Sequence, residues 1–323
     1  MTKVAIIGAA GYTGGELIRV IKDHPNISEF FAISESNGGK RISSVHEDVL
    51  DLDGKVFDDK FNPKNVDVVF LCGGHGDSNN LMKKHGLNIN EVRIIDLSQD
   101  FRHKENSNGF IYGLSEVFRS EIITAKAVAN PGCFATAIQL SLAPLAKLKK
   151  LNPDIHITAI TGSTGAGQKP QATTHYSWRS NNISVYKPFE HQHLKEINET
   201  LSTLSNGDIG KMLFVPVRGP FTRGIISSIH LKIEDGLDFI NSYYKEFYKG
   251  CKFVHVTDSE VHLKQVINTN NAVMSIRKHD EYVHITCCID NLLKGASGQA
   301  VQNMNLMLGL EENAGLNLKS VYF

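Results

Sequence analysis

The chain begins with an apolar run, Lys3-Val4-Ala5-Ile6-Ile7, which leads into Gly8-Ala9-Ala10-Gly11-Tyr12-Thr13-Gly14-Gly15 and then into Glu16-Leu17-Ile18-Arg19-Val20-Ile21. The first run is continuous and rich in β-branched residues, which is typical of a buried parallel strand, and the last carries apolar residues at helical spacing. Regularly spaced glycines thus separate a strand from a helix. Glycine lets the backbone turn sharply and approach a pyrophosphate, which the amides at the helix start attract. This order of elements predicts a dinucleotide-binding turn.

Strand-like runs and helical stretches alternate through the first part of the chain. The strand-like runs cover residues 29–33, 66–72, 92–97 and 127–129. Strands that alternate with helices in this way predict a doubly wound parallel sheet.

The pattern changes after residue 133. A helical stretch, 134–150, is followed by strand-like runs with no long helix between them, at residues 155–160, 211–217, 224–232, 273–277 and 282–289. This arrangement indicates a mixed or antiparallel sheet. A last helical stretch, 291–309, is expected to return to the first domain. The predicted fold class is therefore α/β, with a Rossmann-type parallel sheet over 1–132 and 292–323 and a second, α+β domain over 133–291.

The composition restricts the possible partners. Across 323 residues, 34 Lys and Arg balance 34 Asp and Glu, so no global basic field is present to hold nucleic acid or a membrane surface. No apolar run approaches the ~20 residues that span a bilayer. The five cysteines are irregularly spaced and the 14 histidines are scattered, which favours neither a disulfide framework nor a metal site. We therefore expect a cytoplasmic protein that acts on a small molecule without a metal.

The second predicted strand ends in a polar turn, Ser34-Glu35-Ser36-Asn37-Gly38-Gly39-Lys40. In a dinucleotide-binding sheet this turn lies near the adenosine ribose, where a carboxylate that binds the 2′-hydroxyl selects NAD. The side chains of Ser34, Ser36 and Lys40 suit a 2′-phosphate instead, whereas Glu35 would repel that phosphate if it pointed inward. The turn therefore favours NADP(H). The other expected cofactor ligands in this part of the chain are Gly8, Gly11, Tyr12, Thr13 and Gly14.

The strongest candidate for a catalytic side chain lies in Asn130-Pro131-Gly132-Cys133-Phe134-Ala135-Thr136. Pro131 and Gly132 form a rigid turn after a strand, and Cys133 then begins a helix. The amide groups and the dipole at a helix start stabilise a thiolate, the nucleophilic form of cysteine. A buried, inert residue is the competing interpretation, because a free cysteine often serves as a small apolar side chain. The remaining cysteines lack this setting and are interpreted as packing or surface residues: Cys72, Cys251, Cys287 and Cys288.

The segment Ala129-Asn130-Pro131-Gly132-Cys133-Phe134-Ala135-Thr136-Ala137 resembles the active-site signature of the N-acetyl-γ-glutamyl-phosphate reductases. Further segments similar to this family occur in the family's order over nearly the whole chain. They cover residues 8–17, 96–102, 112–114, 162–167, 191–193 and 289–295.

The resemblance implies a fold similar to that of glyceraldehyde-3-phosphate and aspartate-semialdehyde dehydrogenases. Catalysis and dimerisation would then belong to residues 133–291, and the assembly would be a homodimer or homotetramer. The implied reaction is the NADPH-dependent reduction of N-acetyl-γ-glutamyl phosphate to the semialdehyde, in arginine biosynthesis. Cys133 would displace phosphate to form a thioester, which accepts hydride more readily than a carboxylate does.

The resemblance also implies roles for other side chains. The His191-Gln192-His193 segment would supply the imidazole that moves protons, because the ordinary pKa of histidine lies near neutrality. We expect His193 to be this acid–base group, oriented by Glu196, and His191 to contact the substrate; a histidine that only caps a turn is the alternative. From the residues themselves, without the resemblance, the expected substrate ligands are Arg102, Ser163, Arg218 and Arg223, with the backbone of 163–167, at the end of a strand, as an amide nest for phosphate. The expected cofactor ligands in this half of the chain are Gly165 and Asn291.

Two positions depart from the family pattern. Lys195 stands where the family usually has proline, at the start of the following helix. The loop Gly73-Gly74-His75-Gly76 also lacks the usual proline, so we expect it to be loose. The alternatives that stay open are the same chemistry on an N-succinylglutamyl, aminoadipyl or aspartyl phosphate. A non-catalytic NADP-binding regulatory protein is the alternative from another functional class.

Overall fold

The computed structural model describes residues 1–52 and 54–323, which fold as two compact units. The first unit contains Met1–Gly132 and Ala296–Asn317, and the second contains Cys133–Gly295 and Leu318–Phe323. None of the helices in the described ranges combines the length and the apolar character needed to cross a membrane.

The C-terminal segment divides differently from its sequence-based assignment to the first domain. The last six residues and residues 292–295 belong to the second unit. The amide of Val321 donates to the carbonyl of Ile267 at 3.1 Å, and the side-chain amide of Asn268 donates to the carbonyl of Lys319 at 3.1 Å. Such contacts between distant residues leave no trace in composition or periodicity, so the sequence pattern did not reveal them.

The elements are numbered in chain order. The strands are β1 (Thr2–Ile7), β2 (Ile27–Ile33), β3 (Val68–Leu71), β4 (Arg93–Asp96), β5 (Ile111–Tyr112), β6 (Ala127–Ala129), β7 (Ile155–Thr161), β8 (Ser184–Val185), β9 (Met212–Arg218), β10 (Ile225–Lys232), β11 (Val254–Val256), β12 (Ala272–His279) and β13 (Tyr282–Ile289). The α-helices are α1 (Tyr12–Ile21), α2 (Ser78–Lys84), α3 (Arg119–Thr124), α4 (Cys133–Lys147), α5 (Tyr176–Arg179), α6 (His193–Ser205), α7 (Leu237–Phe247) and α8 (Gly298–Met307). A π-helical turn, Leu293–Ser297, precedes α8.

The first unit is built on a six-stranded sheet in the order β2-β1-β3-β4-β6-β5, in which every neighbouring pair is parallel. The last four residues of β1 are all buried, so both faces of this strand are covered, as its unbroken apolar run indicates. The predicted parallel sheet is confirmed. The strand order reverses between β1 and β3, and ligands of open α/β sheets bind beyond the carboxyl ends of the strands at such a point.

The helix that closes the first unit comes from the far end of the chain. Every residue of α8 is buried, and α8 packs against α1 and α3. The hydroxyl of Ser297 donates to the carbonyl of Thr13 at 2.8 Å, which ties the start of α8 to α1. The last helical stretch thus belongs to the first unit from Ala296 onward, whereas its first residues, 291–295, belong to the second unit.

The second unit contains a seven-stranded sheet in the order β11-β12-β13-β10-β7-β9-β8. The pairs β7–β9 and β11–β12 are parallel, and the other neighbouring pairs are antiparallel. The predicted mixed sheet is therefore confirmed. Helix α4 packs against α6, β10 and β13, so the helix that begins with Cys133 is supported by the centre of this sheet.

Helix α7 was missed in the sequence analysis and supports α4. Pro144 lies inside α4 and has no amide hydrogen, so the carbonyl of Leu140 lacks its usual helical donor. The hydroxyl of Tyr248, just after α7, donates to that carbonyl, and the hydroxyl of Tyr244 donates to the carbonyl of Ser141 at 2.6 Å. These two tyrosines let α4 continue past its proline.

Candidate active site

Gly8 and Gly14 occupy positions that only glycine fits. Gly8 has a φ of +83°, and a Cβ at this position would lie 2.6 Å from the carbonyl oxygen of Cys72, the residue after β3. A Cβ at Gly14 would lie 2.6 Å from the Cα of Ala9. These two glycines therefore let the turn approach β3 and let α1 start close to β1.

Gly11 differs, because no neighbouring atom confines it. A Cβ at Gly11 would meet the carbonyl oxygen of Gly8 at 3.6 Å, which is an ordinary contact. Gly11 is the N-cap of α1, and the amides of the first turn of a helix have no helical acceptor. A helix start with such amides behind glycines without side chains is the environment that a pyrophosphate requires, so this turn fits NADP(H).

His46 holds the glycine turn from outside the motif. Its Nε2 lies 2.8 Å from the carbonyl oxygen of Ala9. A Cβ at Gly15 would lie 2.6 Å from the same imidazole, so the ring fills the space that this glycine leaves. His46 belongs to no motif, and the sequence carried no signal for it.

The turn after β2 gathers the polar groups that were assigned to a 2′-phosphate. Nδ2 of Asn37 donates to the hydroxyl oxygens of Ser34 at 3.3 Å and Ser36 at 3.1 Å. Nζ of Lys40 donates to Oδ1 of Asn37 at 3.2 Å. Asn37, which the predicted ligand set omitted, is thus the centre of the cluster. Hydroxyl, amide and ammonium donors in one turn fit a phosphate group.

Glu35, the residue that argued against a 2′-phosphate, is paired with a cation. Its Oε2 lies 2.7 Å from Nζ of Lys84 on α2. This hydrogen bond, followed by the charge of Lys84, lowers the pKa of the Glu35 carboxyl. Both side chains are exposed, so the pair is weak, but it reduces the repulsion that Glu35 would exert on a phosphate.

The loop after β3, at residues 73–76, is anchored at its C-terminal end. The amides of Gly76 and Ser78 donate to the two carboxylate oxygens of Asp100 at 2.7 and 2.9 Å. Asp100 lies within the segment 96–102 that resembles the reductase family. Asp100, an acid of another loop, thus restrains the C-terminal end of this segment, and the expectation of a loose loop stays a prediction.

Cys133 is the first residue of α4, in the second unit. The ring of Phe134, the next residue, packs edge-on against the imidazoles of His191 and His193, with centroid distances of 5.4 and 6.3 Å. The candidate nucleophile and the two candidate bases are thus brought into one cluster.

The remaining cysteines have environments that suppress thiolate formation or lie outside this cluster. Burial raises the pKa of Cys72 and of Cys287 to about 12 and raises that of Cys288 as well. Cys251 is half-buried beyond the end of α7. These environments support their interpretation as packing or surface residues, since the thiolate is the reactive form.

The two histidines have different electrostatic environments. Burial, followed by the charges of Lys187 and Arg218, lowers the pKa of His191 to about 4, so this ring is neutral near pH 7. Its Nδ1 accepts the backbone amide of His193 at 3.2 Å, which leaves Nε2 as its donor. Nε2 of His193 lies 3.9 Å from Oε1 of the buried Glu196. A carboxylate at this distance stabilises an imidazolium.

Tyr186 and Arg218 extend the cluster. The guanidinium carbon of Arg218 lies 4.7 Å from the centroid of the Tyr186 ring, and this ring packs edge-on against His191 at 5.8 Å. Burial, followed by the electrostatic influence of Cys133, raises the pKa of Tyr186 to about 12, so its hydroxyl stays protonated. Within the described part of the chain, Nε of Arg218 is buried and has no hydrogen-bond partner. The sequence analysis missed Tyr186 because it lies in no motif.

The segment 163–167 does not provide the predicted amide nest. The amides of Ser163 and Thr164 donate to the carbonyls of Phe221 and Thr222 at 2.8 and 3.1 Å. The loop after β7 thus pairs with the loop between β9 and β10, and this pairing uses the amides that a phosphate would need. The side chain of Ser163 is half-buried, and its contact with substrate stays a prediction.

Asn291 connects the same loops. Its Oδ1 accepts the amide of Gly224 at 2.7 Å, and its Nδ2 donates to Oγ1 of Thr164 at 3.0 Å. Gly165 lies beside it, since a Cβ there would be 4.0 Å from Nδ2 of Asn291. The two expected cofactor ligands of the second unit are therefore neighbours.

The three predicted substrate arginines have different surroundings. Nε of Arg102, in the first unit, donates to the carbonyl of Asn130 at 2.8 Å. Arg223, in the second unit, donates through Nε at 3.1 Å and Nη2 at 3.2 Å to the buried carboxylate of Asp290. Arg218 is the one whose Nε is buried without an acceptor in the described residues, and it lies in the cluster with Tyr186.

The chain matches known proteins along its length. Residues 3–125 match the family described as semialdehyde dehydrogenase, NAD binding domain, and residues 133–291 match the semialdehyde dehydrogenase, dimerisation domain. The chain is 50% identical to the N-acetyl-gamma-glutamyl-phosphate reductase of Bacteroides fragilis and 49% identical to that of Phocaeicola vulgatus, with 100% of both chains covered in each case. The reductase of Flavobacterium johnsoniae is 49% identical, with 99% of each chain covered.

Solved structures share the fold at lower identity. The aspartate semialdehyde dehydrogenase II of Vibrio cholerae, complexed with ASA, has a TM-score of 0.74 at 17% identity, covering 96% of this chain and 98% of that chain. The aspartate semialdehyde dehydrogenase with NADP from Candida albicans has a TM-score of 0.69 at 13% identity, covering 96% and 99%. These structures support the fold, whereas identity near one half over the full length decides the family. The chain belongs to the N-acetyl-γ-glutamyl-phosphate reductase family of oxidoreductases.

Proposed function

We propose that the protein reduces N-acetyl-γ-glutamyl phosphate to N-acetylglutamate 5-semialdehyde with NADPH, releasing phosphate, in arginine biosynthesis. The full-length likeness to reductases of this name supports the substrate and the reaction. The observation that carries the mechanism is the cluster of Cys133, Phe134, His191 and His193 at the start of α4. It combines a nucleophile at a helix start with imidazoles that move protons.

In the first half of the reaction, His193 takes the proton of the Cys133 thiol and the sulfur attacks the acyl carbon. The bond between that carbon and the phosphate oxygen breaks, and the imidazolium gives its proton to the departing oxygen. Oε1 of Glu196, 3.9 Å from Nε2 of His193, stabilises the imidazolium while it holds the proton. The product on the enzyme is a thioester.

In the second half, the thioester is reduced and the aldehyde is released. NADPH, when bound, supplies the hydride for this reduction. The tetrahedral adduct then collapses: its oxygen forms the aldehyde carbonyl as the carbon–sulfur bond breaks, and Cys133 leaves as a thiolate that regains a proton. The hydroxyl of Tyr186 is the donor that stabilises the oxyanion in the proposed site, and Nε2–H of the neutral His191 donates to the bound substrate.

The remaining ligands follow from the charges of the substrate and the cofactor. Arg218 binds an anionic group of the substrate, because its Nε is buried without an acceptor in the described residues. The glycine turn holds the pyrophosphate, and Ser34, Ser36, Asn37 and Lys40 hold the 2′-phosphate. Contacts of Arg102 and Ser163 with substrate, and of Tyr12, Thr13, Gly165 and Asn291 with cofactor, complete the proposal.

The proposed assembly is a homodimer or homotetramer in the cytoplasm. The match of residues 133–291 to a dimerisation domain supports assembly through the second unit. The reducing cytoplasm would keep Cys133 as a thiol, ready to act as a nucleophile.

The covalent mechanism is tested by Cys133→Ser. We expect the variant to bind NADPH as the wild type does but to lose at least about 1,000-fold in turnover, because a hydroxyl is far less acidic than a thiol. With substrate and no NADPH, the intact wild-type protein should gain the mass of one acyl group at Cys133. Substantial turnover by the variant would contradict the thioester.

The substrate is tested by comparing kcat/KM on N-acetylglutamyl, N-succinylglutamyl, aminoadipyl and aspartyl phosphates. We expect the N-acetylglutamyl compound to be the best of the four. A higher kcat/KM on another of these compounds would make that compound the substrate and would leave the proposed mechanism unchanged. Normal NADPH binding without turnover on any of them would favour the regulatory alternative.

A further inference from the structure

A buried ion pair lies close to the proposed nucleophile. Asp290, at the end of β13, is fully buried and accepts two hydrogen bonds from the guanidinium of Arg223, at 3.1 and 3.2 Å. Its carboxylate also accepts the amides of Asn268 at 2.7 Å, Leu292 at 2.8 Å and Leu293 at 3.2 Å. These hydrogen bonds restrain the turn that follows β13. Breaking them is costly, because removing one partner would leave a buried charge uncompensated.

The same turn contacts Cys133. The amide of Gly295 donates to the carbonyl of Asp290 at 2.9 Å, so both the side chain and the backbone of Asp290 hold residues 290–295. A Cβ at Gly295 would lie 2.8 Å from Cβ of Cys133 and 3.2 Å from its Cα. Any side chain at position 295 would therefore displace the turn or Cys133.

We propose that Arg223, Asp290 and Gly295 position the thiol of Cys133. Contacts run from the guanidinium to the carboxylate, from Asp290 to the turn, and from Gly295 to the first residue of α4. Arg223 is then a positioning residue, and not the substrate ligand that the sequence analysis predicted. The inference rests on the proposed role of Cys133 as the nucleophile.

Arg218, the last residue of β9, has different surroundings from Arg223, which lies in the loop after this strand. Its guanidinium carbon lies 4.7 Å from the Tyr186 ring, and its Nε is buried without a hydrogen-bond partner in the described residues. The Nε of Arg223, in contrast, donates to a carboxylate. Substitution of Arg218 should therefore raise the KM for substrate, whereas substitution of Arg223 should change the reactivity of Cys133 and the kcat.

The test compares Arg223→Lys and Gly295→Ala with matched controls. Arg277→Lys changes an exposed arginine of β12, and Gly207→Ala adds a methyl group that has no heavy atom of the described residues within 4 Å. For each variant we would measure kcat, KM, NADPH binding, and the rate of Cys133 alkylation by iodoacetamide as a function of pH, with the labelled peptide identified by mass.

We expect Arg223→Lys and Gly295→Ala to lower both kcat and the alkylation rate by roughly 10- to 100-fold, because small misplacements of a reacting group have effects of this size. KM and NADPH binding should stay near the wild-type values, and both controls should resemble the wild type. If the Asp290→Asn variant folds, it should have the same effect as Arg223→Lys. If it does not fold, Gly295→Ala still tests the inference.

A raised KM for Arg223→Lys, with wild-type kcat and alkylation, would make Arg223 a substrate ligand and overturn the inference. Wild-type kcat and alkylation in Gly295→Ala would also overturn it. Failure of the proposed function has a separate signature, namely turnover that survives Cys133→Ser. The alkylation rate reports the placement of the thiol whether or not the thiol attacks the substrate.

Discussion

The glycine turn of the first unit and the thiol cluster of the second unit are assembled in different ways. The turn is one short segment, 8–14, whose shape follows from steric limits at Gly8 and Gly14. The thiol cluster draws on separate parts of the chain, which contribute Cys133, Tyr186, His191, His193 and Arg218. When one turn forms a site, all of its residues can be recognised in the sequence as a motif. When distant segments pack together to form a site, the sequence identifies only those residues that belong to a motif.

The largest effect is expected within the thiol cluster, where the two adjacent imidazoles have different neighbours: Glu196 lies beside His193, whereas the backbone amide of His193 donates to His191. His193→Asn should lower kcat by roughly 100- to 10,000-fold, the usual contribution of an acid–base group, and should slow alkylation of Cys133 near neutral pH. His191→Asn should chiefly raise KM, because a neutral ring held by the His193 amide acts as a hydrogen-bond donor. Steady-state kinetics and alkylation rates of the two variants decide the matter. The reverse phenotypes would exchange the two roles.

The glycine turn is tested by substituting two of its glycines. Gly8→Ala should destabilise the protein by up to about 3 kcal/mol, because a left-handed conformation is strained for alanine and the new Cβ would meet the carbonyl of Cys72. Gly11→Ala, which meets no close atom, should keep the wild-type stability and weaken NADPH binding. Urea unfolding and NADPH titration separate the two effects. Equal stability of the two variants would show that local sterics do not shape this turn.

The buried His191 predicts a loss of stability in acid. Its pKa is lowered from 6.5 to about 4 in the folded protein, so between these values the unfolded chain binds a proton that the folded chain does not. The free energy of unfolding therefore falls as the pH decreases through this window, by about 2 kcal/mol between pH 7 and pH 5 for this residue. Urea unfolding of the wild type and His191→Gln at both pH values gives the contribution as a difference. If the free energies of unfolding of the two proteins differ by the same amount at pH 7 and pH 5, His191 is not held neutral.

The smallest effect is expected for cofactor choice, because the groups involved are exposed. Lys40→Ala should reduce the preference for NADPH over NADH by roughly tenfold or less, since exposed charge pairs contribute about 1 kcal/mol. Glu35→Gln should change the preference little, because Lys84 already pairs with that carboxylate. The ratio of kcat/KM for the two cofactors measures both effects. A larger effect at Glu35 than at Lys40 would assign the ribose contact to the acid.

Patterns between near neighbours in the chain were sufficient for much of the fold. The continuous apolar run of β1 indicated a parallel sheet, and the later strand-like runs indicated a mixed sheet, because period and run length depend on which faces of a strand are buried. Helix α7 was missed although Ile240, Tyr244 and Phe247 recur at helical spacing, so its sequence carried a signal that the sequence analysis did not use. The predicted nest at 163–167 was wrong because a distant loop accepts the amides of Ser163 and Thr164, and the amides of Gly165 and Gly167 donate to neighbouring carbonyls.

Local sequence was also sufficient to select Cys133 and the glycine turn, since a helix start and a tight turn are set by adjacent residues. Packing alone distinguished Arg218 from Arg223, two arginines that look alike along the chain. The partner of Arg223, Asp290, lies 67 positions away, and the ring beneath Arg218 belongs to a segment without a motif. Whether a guanidinium binds a protein carboxylate or keeps a nitrogen without an acceptor depends on which distant groups the fold brings to it, and no local pattern encodes that choice.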